Sequence, residues 1–119
     1  MIRVQLQDFD IGIELDRLSA GNAKVGGIAS FIGLMRDIAP VGSAANSSMT
    51  LEHYPGMTEK RLAAIEAEAC RRWPLEASLV IHRYGRLEPG DRIVLVATAS
   101  SHRQAALESC AFLIDWLKT

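Results

Sequence analysis

Cations dominate the side chains able to do chemistry in this sequence. His102 and Arg103 are adjacent and follow the apolar run Ile93–Ala97, which puts them in the first turn of a last helix. Free backbone N–H groups and the helix dipole at such a place favour an anion, and an imidazole beside a guanidinium sharpens that preference. Arg36 closes a glycine-containing apolar run at the mouth of a soft segment, where ligand clamps often sit. Lys118 stands at the far end of the same last helix. Each has a plainer reading. Lys118 can serve only to complement a helix C-terminus, and Arg36 can be a solvated loop charge. Spacing alone leaves the two readings side by side.

Nucleophiles and metal ligands are poorly supplied. His53, His82 and His102 show no metal-ligand spacing and no HExxH pattern; the first two fall in strand-like runs and read as structural or half-exposed. GxGxxG, GxxxxGK[ST] and GxSxG are all missing, which weakens the dinucleotide, P-loop and serine-hydrolase readings. Cys70 and Cys110 have no neighbouring histidine or helix N-terminus to activate a thiol. Both are expected on helices as small core hydrophobes. Two cysteines are also too few for a disulfide framework or a zinc site.

Something must hold those cations in place. Strand-like runs lie at Ile2–Leu6, Val25–Ile32, Met49–Tyr54, Ala77–Tyr84 and Arg92–Ala99, and the last of these, apolar on both faces, is expected to be central. Pro55-Gly56 marks a turn, after which Thr58 is expected to cap a helix running from Glu59 to Trp73, with Leu62, Ile65, Ala69 and Trp73 as its apolar stripe. Pro74 ends it. Glu88-Pro89-Gly90-Asp91 is a turn between strands. The last helix should start at Ser101, where Ser101-His102-Arg103-Gln104 matches a capping box. It is apolar almost all round, so it should be buried in a core or against another chain. A short helix near Ile11–Leu18 completes the set. Strands and helices interleave without a strict βαβ rhythm, which makes the class α+β.

Thirteen Lys+Arg against fourteen Asp+Glu leave a net charge of −1, without the electrostatic footprint of a nucleic-acid binder. The chain has 119 residues, 49% apolar and 23% charged, which suits a single globular domain over 1–119. The longest uncharged apolar stretch, Val25–Met35, is too short to span a membrane, and the first residues carry no secretory signal. A cytoplasmic protein is expected. Ala39–Ser48, small and polar, reads as a mobile loop.

Several blocks are distinctive. Leu51-Glu52-His53-Tyr54-Pro55-Gly56-Met57-Thr58-Glu59-Lys60, Val80-Ile81-His82-Arg83-Tyr84-Gly85, Pro89-Gly90-Asp91, Ser101-His102-Arg103 and Asp115-Trp116-Leu117-Lys118-Thr119 closely resemble the catalytic (large) subunits of molybdopterin synthase. The match runs in order from about Val25 to Thr119. This resemblance implies an α/β hammerhead-type fold with a mixed or antiparallel sheet and two main helices. It also implies a homodimer inside a heterotetramer, with a small ubiquitin-like partner whose Gly-Gly terminus carries a thiocarboxylate. In that family, sulfur passes from the partner to cyclic pyranopterin monophosphate, making the dithiolene of molybdopterin for the molybdenum cofactor. By motif, the substrate pocket falls on Phe31, Arg36, His102, Arg103 and Ile114, and Lys118 matches the catalytic lysine. No metal or cofactor is implied.

Three departures accompany the resemblance. Leu34 stands where a Lys is usual, and Ile114 where a Met is common, a volume-conserving swap. The family also continues past the position of Thr119 with a basic, aromatic segment holding a second pocket lysine. Retention of Arg36, His102, Arg103 and Lys118 favours a missing or disordered tail. The alternative is a non-catalytic homologue that binds the small subunit as a scaffold. A geometric expectation follows. Arg103 and Lys118 are about 22 Å apart on an unbroken helix at 1.5 Å per residue, so one pocket can hold both only if two protomers share it.

Overall fold

Residues 94–100 are buried without interruption, and a strand buried on both faces must be covered by two layers. In the computed structural model, which describes residues 1–37, 49–52 and 54–117, this strand is β6 (Arg92–Ser100). The other elements are β1 (Ile2–Gln5), α1 (Ile11–Ser19), β2 (Gly27–Leu34), β3 (Met49–Leu51), α2 (Met57–Arg72), β4 (Leu75–Arg83), β5 (Gly85–Leu87) and α3 (Arg103–Leu117). The main sheet has the order β1-β4-β6-β2. β6 is antiparallel to both neighbours, and β1 runs parallel to β4, so the sheet is mixed. The α+β class stands.

One face of the sheet carries α2 and α3 over Ala29, Val80, Val94 and Val96. The opposite face, with Leu79, Ile81, Leu95 and Ala97, packs on Phe9 and on Ile11, Leu15 and Leu18 of α1. Polar groups inside β6 are satisfied. Thr98 Oγ1 donates to the Ala106 carbonyl at 2.7 Å and Ser100 Oγ to the Pro74 carbonyl at 2.9 Å. The two large helices meet near their far ends, where Trp73 Nε1 donates to Glu108 at 3.1 Å and the Trp73 and Phe112 rings lie 5.4 Å apart. Asp10 caps α1 by accepting from Ile13 N–H at 3.0 Å.

Four expectations need correcting. β5 was not foreseen; it pairs with a short β3 as a separate two-stranded sheet, because Gly85 and Gly90, both at positive φ, turn the chain twice within a few residues. Thr58 does not cap α2. Gly56 at φ 82° is the N-cap, and Glu59 reaches back to its N–H at 2.7 Å, so the helix starts at Met57. α3 begins at Arg103, two residues after the expected Ser101, and it is the Ser100 hydroxyl that accepts the His102 N–H, at 3.4 Å. Cys70 is exposed, since Ala69 takes the inward position beside it; only Cys110 is a core residue. His53 and the Ala39–Ser48 expectation lie outside the described residues.

The chain enters β2 under a tight constraint. Gly26 N–H donates to the Ser100 carbonyl at 2.9 Å, and a Cβ on Gly26 would sit 2.3 Å from the Ser101 carbonyl oxygen. Backbone cannot yield as a side-chain tip can. Gly26→Ala is therefore expected to cost about 1–3 kcal/mol, read as a lowered midpoint in urea with an unchanged slope.

Candidate active site

Side chains alternate across a strand, so Phe31 and Gly33 of β2, Val94 of β6 and His82 of β4 face the same side as Val80, the side that bears the helices. α3 ends above them, and where it ends a cleft of about 630 Å³ opens. Phe31, Arg36, His82, Val94, Ile114 and Leu117 line it. Gly33 keeps its floor low, since a Cβ there would lie 2.7 Å from Val94 Cγ1 and 3.6 Å from the Phe31 ring.

Arg36 is exposed at the rim, but its backbone is pinned. Met35, 3% exposed, donates its N–H to the Asp91 carbonyl and accepts from Gly90 N–H, both at 2.8 Å. The β5–β6 turn thus holds the chain that presents Arg36. Among the described residues no carboxylate pairs with its guanidinium, and none lines the cleft. The result is an apolar cup with a cationic lip, suited to a flat ring that carries an anion.

Phe31, Arg36 and Ile114 thus line one cleft. His102 and Arg103 do not join them. They are exposed at the opposite end of β2, where Gly27 pairs with Ser100 and lies 3.8 Å, at its would-be Cβ, from Arg103 Cα. From Gly27 to Leu34 the strand spans about 23 Å at ~3.3 Å per residue. Lys118 lies outside the described residues; Leu117, directly before it, lines the cleft. Leu34, where a Lys is usual, also lines the cleft and is largely exposed.

The sequence reading missed His82, Leu117 and the anchor at Met35. Alternation within β4 held a usable signal for the first, because Val80 is core and His82 is two residues on, past the end of the helical cover. α3 is also less enclosed than its composition suggested. Ala105, Ala106, Ser109, Cys110 and Leu113 face the core, while Leu107 is 62% exposed and Trp116 44%.

A second cleft, of about 570 Å³, lies between α1 and the β1–β4 edge, with Arg3, Glu14 and Arg17 in its wall. Its charges are spent on one another, Arg3 on Glu14 and Arg17 on Glu14 at 4.0 Å. Among the described residues no three of His, Cys, Asp and Glu converge on a point that could hold a metal ion, and no helix is long and apolar enough to cross a membrane.

Known proteins share this arrangement. The family model described as MoaE protein matches residues 4–119. The molybdopterin synthase catalytic subunit of Ralstonia nicotianae is 56% identical over 118 residues, which is 99% of this chain and 66% of that protein. Its counterpart in Mesorhizobium japonicum is 51% identical over 118 residues, 99% of this chain and 72% of that protein. Among solved structures, the molybdopterin biosynthesis MoaE protein of Burkholderia ambifaria superposes with a TM-score of 0.90 at 50% identity, over 100% of this chain and 76% of that one. Molybdopterin synthase from Staphylococcus aureus gives 0.82 at 27% identity, over 98% and 82%.

The two thiols differ sharply. Burial pushes Cys110 up to about 11, and its Sγ faces the Val96 carbonyl at 3.9 Å. A thiol above its ordinary value is a weaker source of thiolate at every pH below about 11. Iodoacetamide at pH 8 should therefore label Cys70 alone in the native protein and both cysteines in urea, read by peptide mass.

Proposed function

The chain belongs to the MoaE protein family, and from that membership we propose that it is the catalytic subunit of a molybdopterin synthase. It takes sulfur from the thiocarboxylated Gly-Gly terminus of a small ubiquitin-like subunit and places it on cyclic pyranopterin monophosphate. The protein works in the cytoplasm as a homodimer that binds two small subunits. The observation that carries this reading is the cleft that gathers Phe31, Arg36 and Ile114 beside Leu117, the residue before Lys118.

Each residue type suits its part. Phe31 and Ile114 offer apolar walls to the pterin ring, and Arg36 a positive charge to its phosphate. Opening of the cyclic phosphate develops negative charge, which His102 and Arg103 help to hold. Lys118 is the general acid and base at the substrate carbons. The nucleophile arrives with the partner, so the fold needs no activated serine or cysteine of its own.

Those roles require His102 and Arg103 to reach a cleft at the other end of α3, which a second protomer provides. Leu107, Ala111 and Ile114 recur at helical spacing along one side of α3; Leu107 and Ala111 are exposed, and Ile114 is half-buried where that side meets the cleft. Two such helices packed antiparallel about an axis near Ala111 would set Arg103 of one protomer against Leu117 of its partner, the residue before Lys118. The two lie about 12 Å and about 9 Å from that axis at 1.5 Å per residue. Cover for the exposed Leu107 then comes from the same contact that completes the site.

A reconstituted assay with thiocarboxylated small subunit and the pterin is the direct test. Dithiolene formation supports the reading. Binding of the small subunit without product would favour a scaffold instead. Lys118→Ala is expected to lose turnover while dimerisation persists and stability changes by no more than about 1 kcal/mol. For the shared site, inactive Lys118→Ala and Arg103→Ala chains should regain activity when mixed, since each heterodimer carries one intact site. No recovery, with subunit exchange verified by mass, would refute the sharing.

A further inference from the structure

The roles set out above leave His82 idle, although it occupies the junction of two clefts. It lines the Phe31–Arg36–Ile114 cleft, and it also lines a neighbour of about 210 Å³ bounded by Tyr54, Met57, Arg61 and Trp116. Leu117 is the other residue common to both. The imidazole is half-buried, and its Nδ1 lies 2.8 Å from the Arg83 carbonyl. A carbonyl only accepts, so Nδ1 carries the proton and the neutral ring keeps Nε2 as a bare acceptor. No described residue hydrogen-bonds Nε2. Neither cleft has a carboxylate among its described lining residues, which leaves His82 as their one neutral nitrogen base.

The proposed reaction needs such a base at a definite step. When a thiocarboxylate sulfur bonds to a carbon of the pterin and the C–O bond at that carbon breaks, its electron pair going to oxygen, partner and substrate become joined through an acyl thioester. Sulfur stays on the pterin only if the bond between the acyl carbon and sulfur then breaks, and water is the acyl acceptor at hand. Resting on the functional reading above, we propose that His82 is the general base for this hydrolysis. Nε2 takes a proton as the water oxygen bonds to the acyl carbon. The tetrahedral intermediate then collapses, the electron pair of the C–S bond goes to sulfur, and the imidazolium returns its proton there. The pterin leaves with a thiol and the small subunit with a carboxyl group. Arg36 lines one of the two clefts and Arg61 the other, so each supplies a cation for the intermediate's oxyanion.

The test is a single turnover of the dimer with thiocarboxylated small subunit and pterin, quenched in acid and read by intact mass. In His82→Gln the covalent adduct should form at the wild-type rate and decay about 100-fold more slowly, as removal of a general base predicts. In His82→Ala the decay should be restored by added imidazole. That variant also decides the matter if Gln disturbs the fold. Wild-type decay in the variants, or decay of the Ala variant indifferent to imidazole, overturns the assignment. So does loss of adduct formation in a folded dimer. If wild-type protein delivers no sulfur at all, the functional reading falls first and takes this inference with it.

Discussion

Two-sided burial of β6 organises this molecule. A strand covered on both faces must be flanked by pairing partners on both edges, or its own peptide groups go unsatisfied. β2 supplies that pairing from Arg92 to Ser100 and β4 from Val94 to Ser100, in registers interrupted only near Gly33 and Leu75. Two different helical layers then close the faces. A one-residue slip of β2 would bring Ile28, Ser30 and Ile32 to the helix side in place of Ala29, Phe31 and Gly33, burying a hydroxyl and losing the clearance that Gly33 gives Val94. Because β2 and β6 run antiparallel, each end of β6 fixes the position of one group of candidate site residues. The Arg92 end lies beside the segment that presents Arg36, and the Ser100 end delivers His102 and Arg103.

Rigid spacing between those groups follows. β2 and α3 both span the length of the sheet, and neither has a hinge in its interior that would let its ends approach. Close backbone contacts reinforce the separation. Gly26 lies hard against Ser101, and Gly33 allows Val94 and Phe31 to meet over the cleft floor. A catalytic site that draws on both ends of α3 therefore has to be completed by symmetry, and the apolar side of α3 left uncovered by its own core offers the contact through which symmetry can act.

The chemistry of the cleft is defined by what its walls leave out. Among the described residues Arg36 and apolar surface line it, no carboxylate does, and the better buried of the two thiols is pushed away from reactivity. Such a surface can hold an anionic ring and stabilise developing charge, while relying on an incoming partner for the attacking atom. A histidine whose tautomer is set by a neighbouring carbonyl adds the capacity to accept a proton without adding negative charge.

Much of this was legible from residue order alone. The two-sided apolar run at Ile93–Ala97, the stripe of Leu62, Ile65 and Ala69 and the proline that ends α2 are local signals, and local physics places them correctly. Helix starts were less legible, because capping depends on which hydroxyl or carboxylate finally lies near an N–H, and Ser100 and Glu59 displaced the residues that spacing favoured. β5 was invisible, since three residues carry no periodicity and exist as a strand only through pairing with β3. The resemblance assigned Phe31, Arg36 and Ile114 to one pocket, but residue order by itself gives no physical reason for them to converge. That convergence, the exposure of Cys70 and Leu107, and the place of His82 between two clefts were decided by tertiary structure. Sequence determines which faces are apolar and where charge resides; only packing determines which faces find cover and which side chains, far apart in the chain, come to share one cavity.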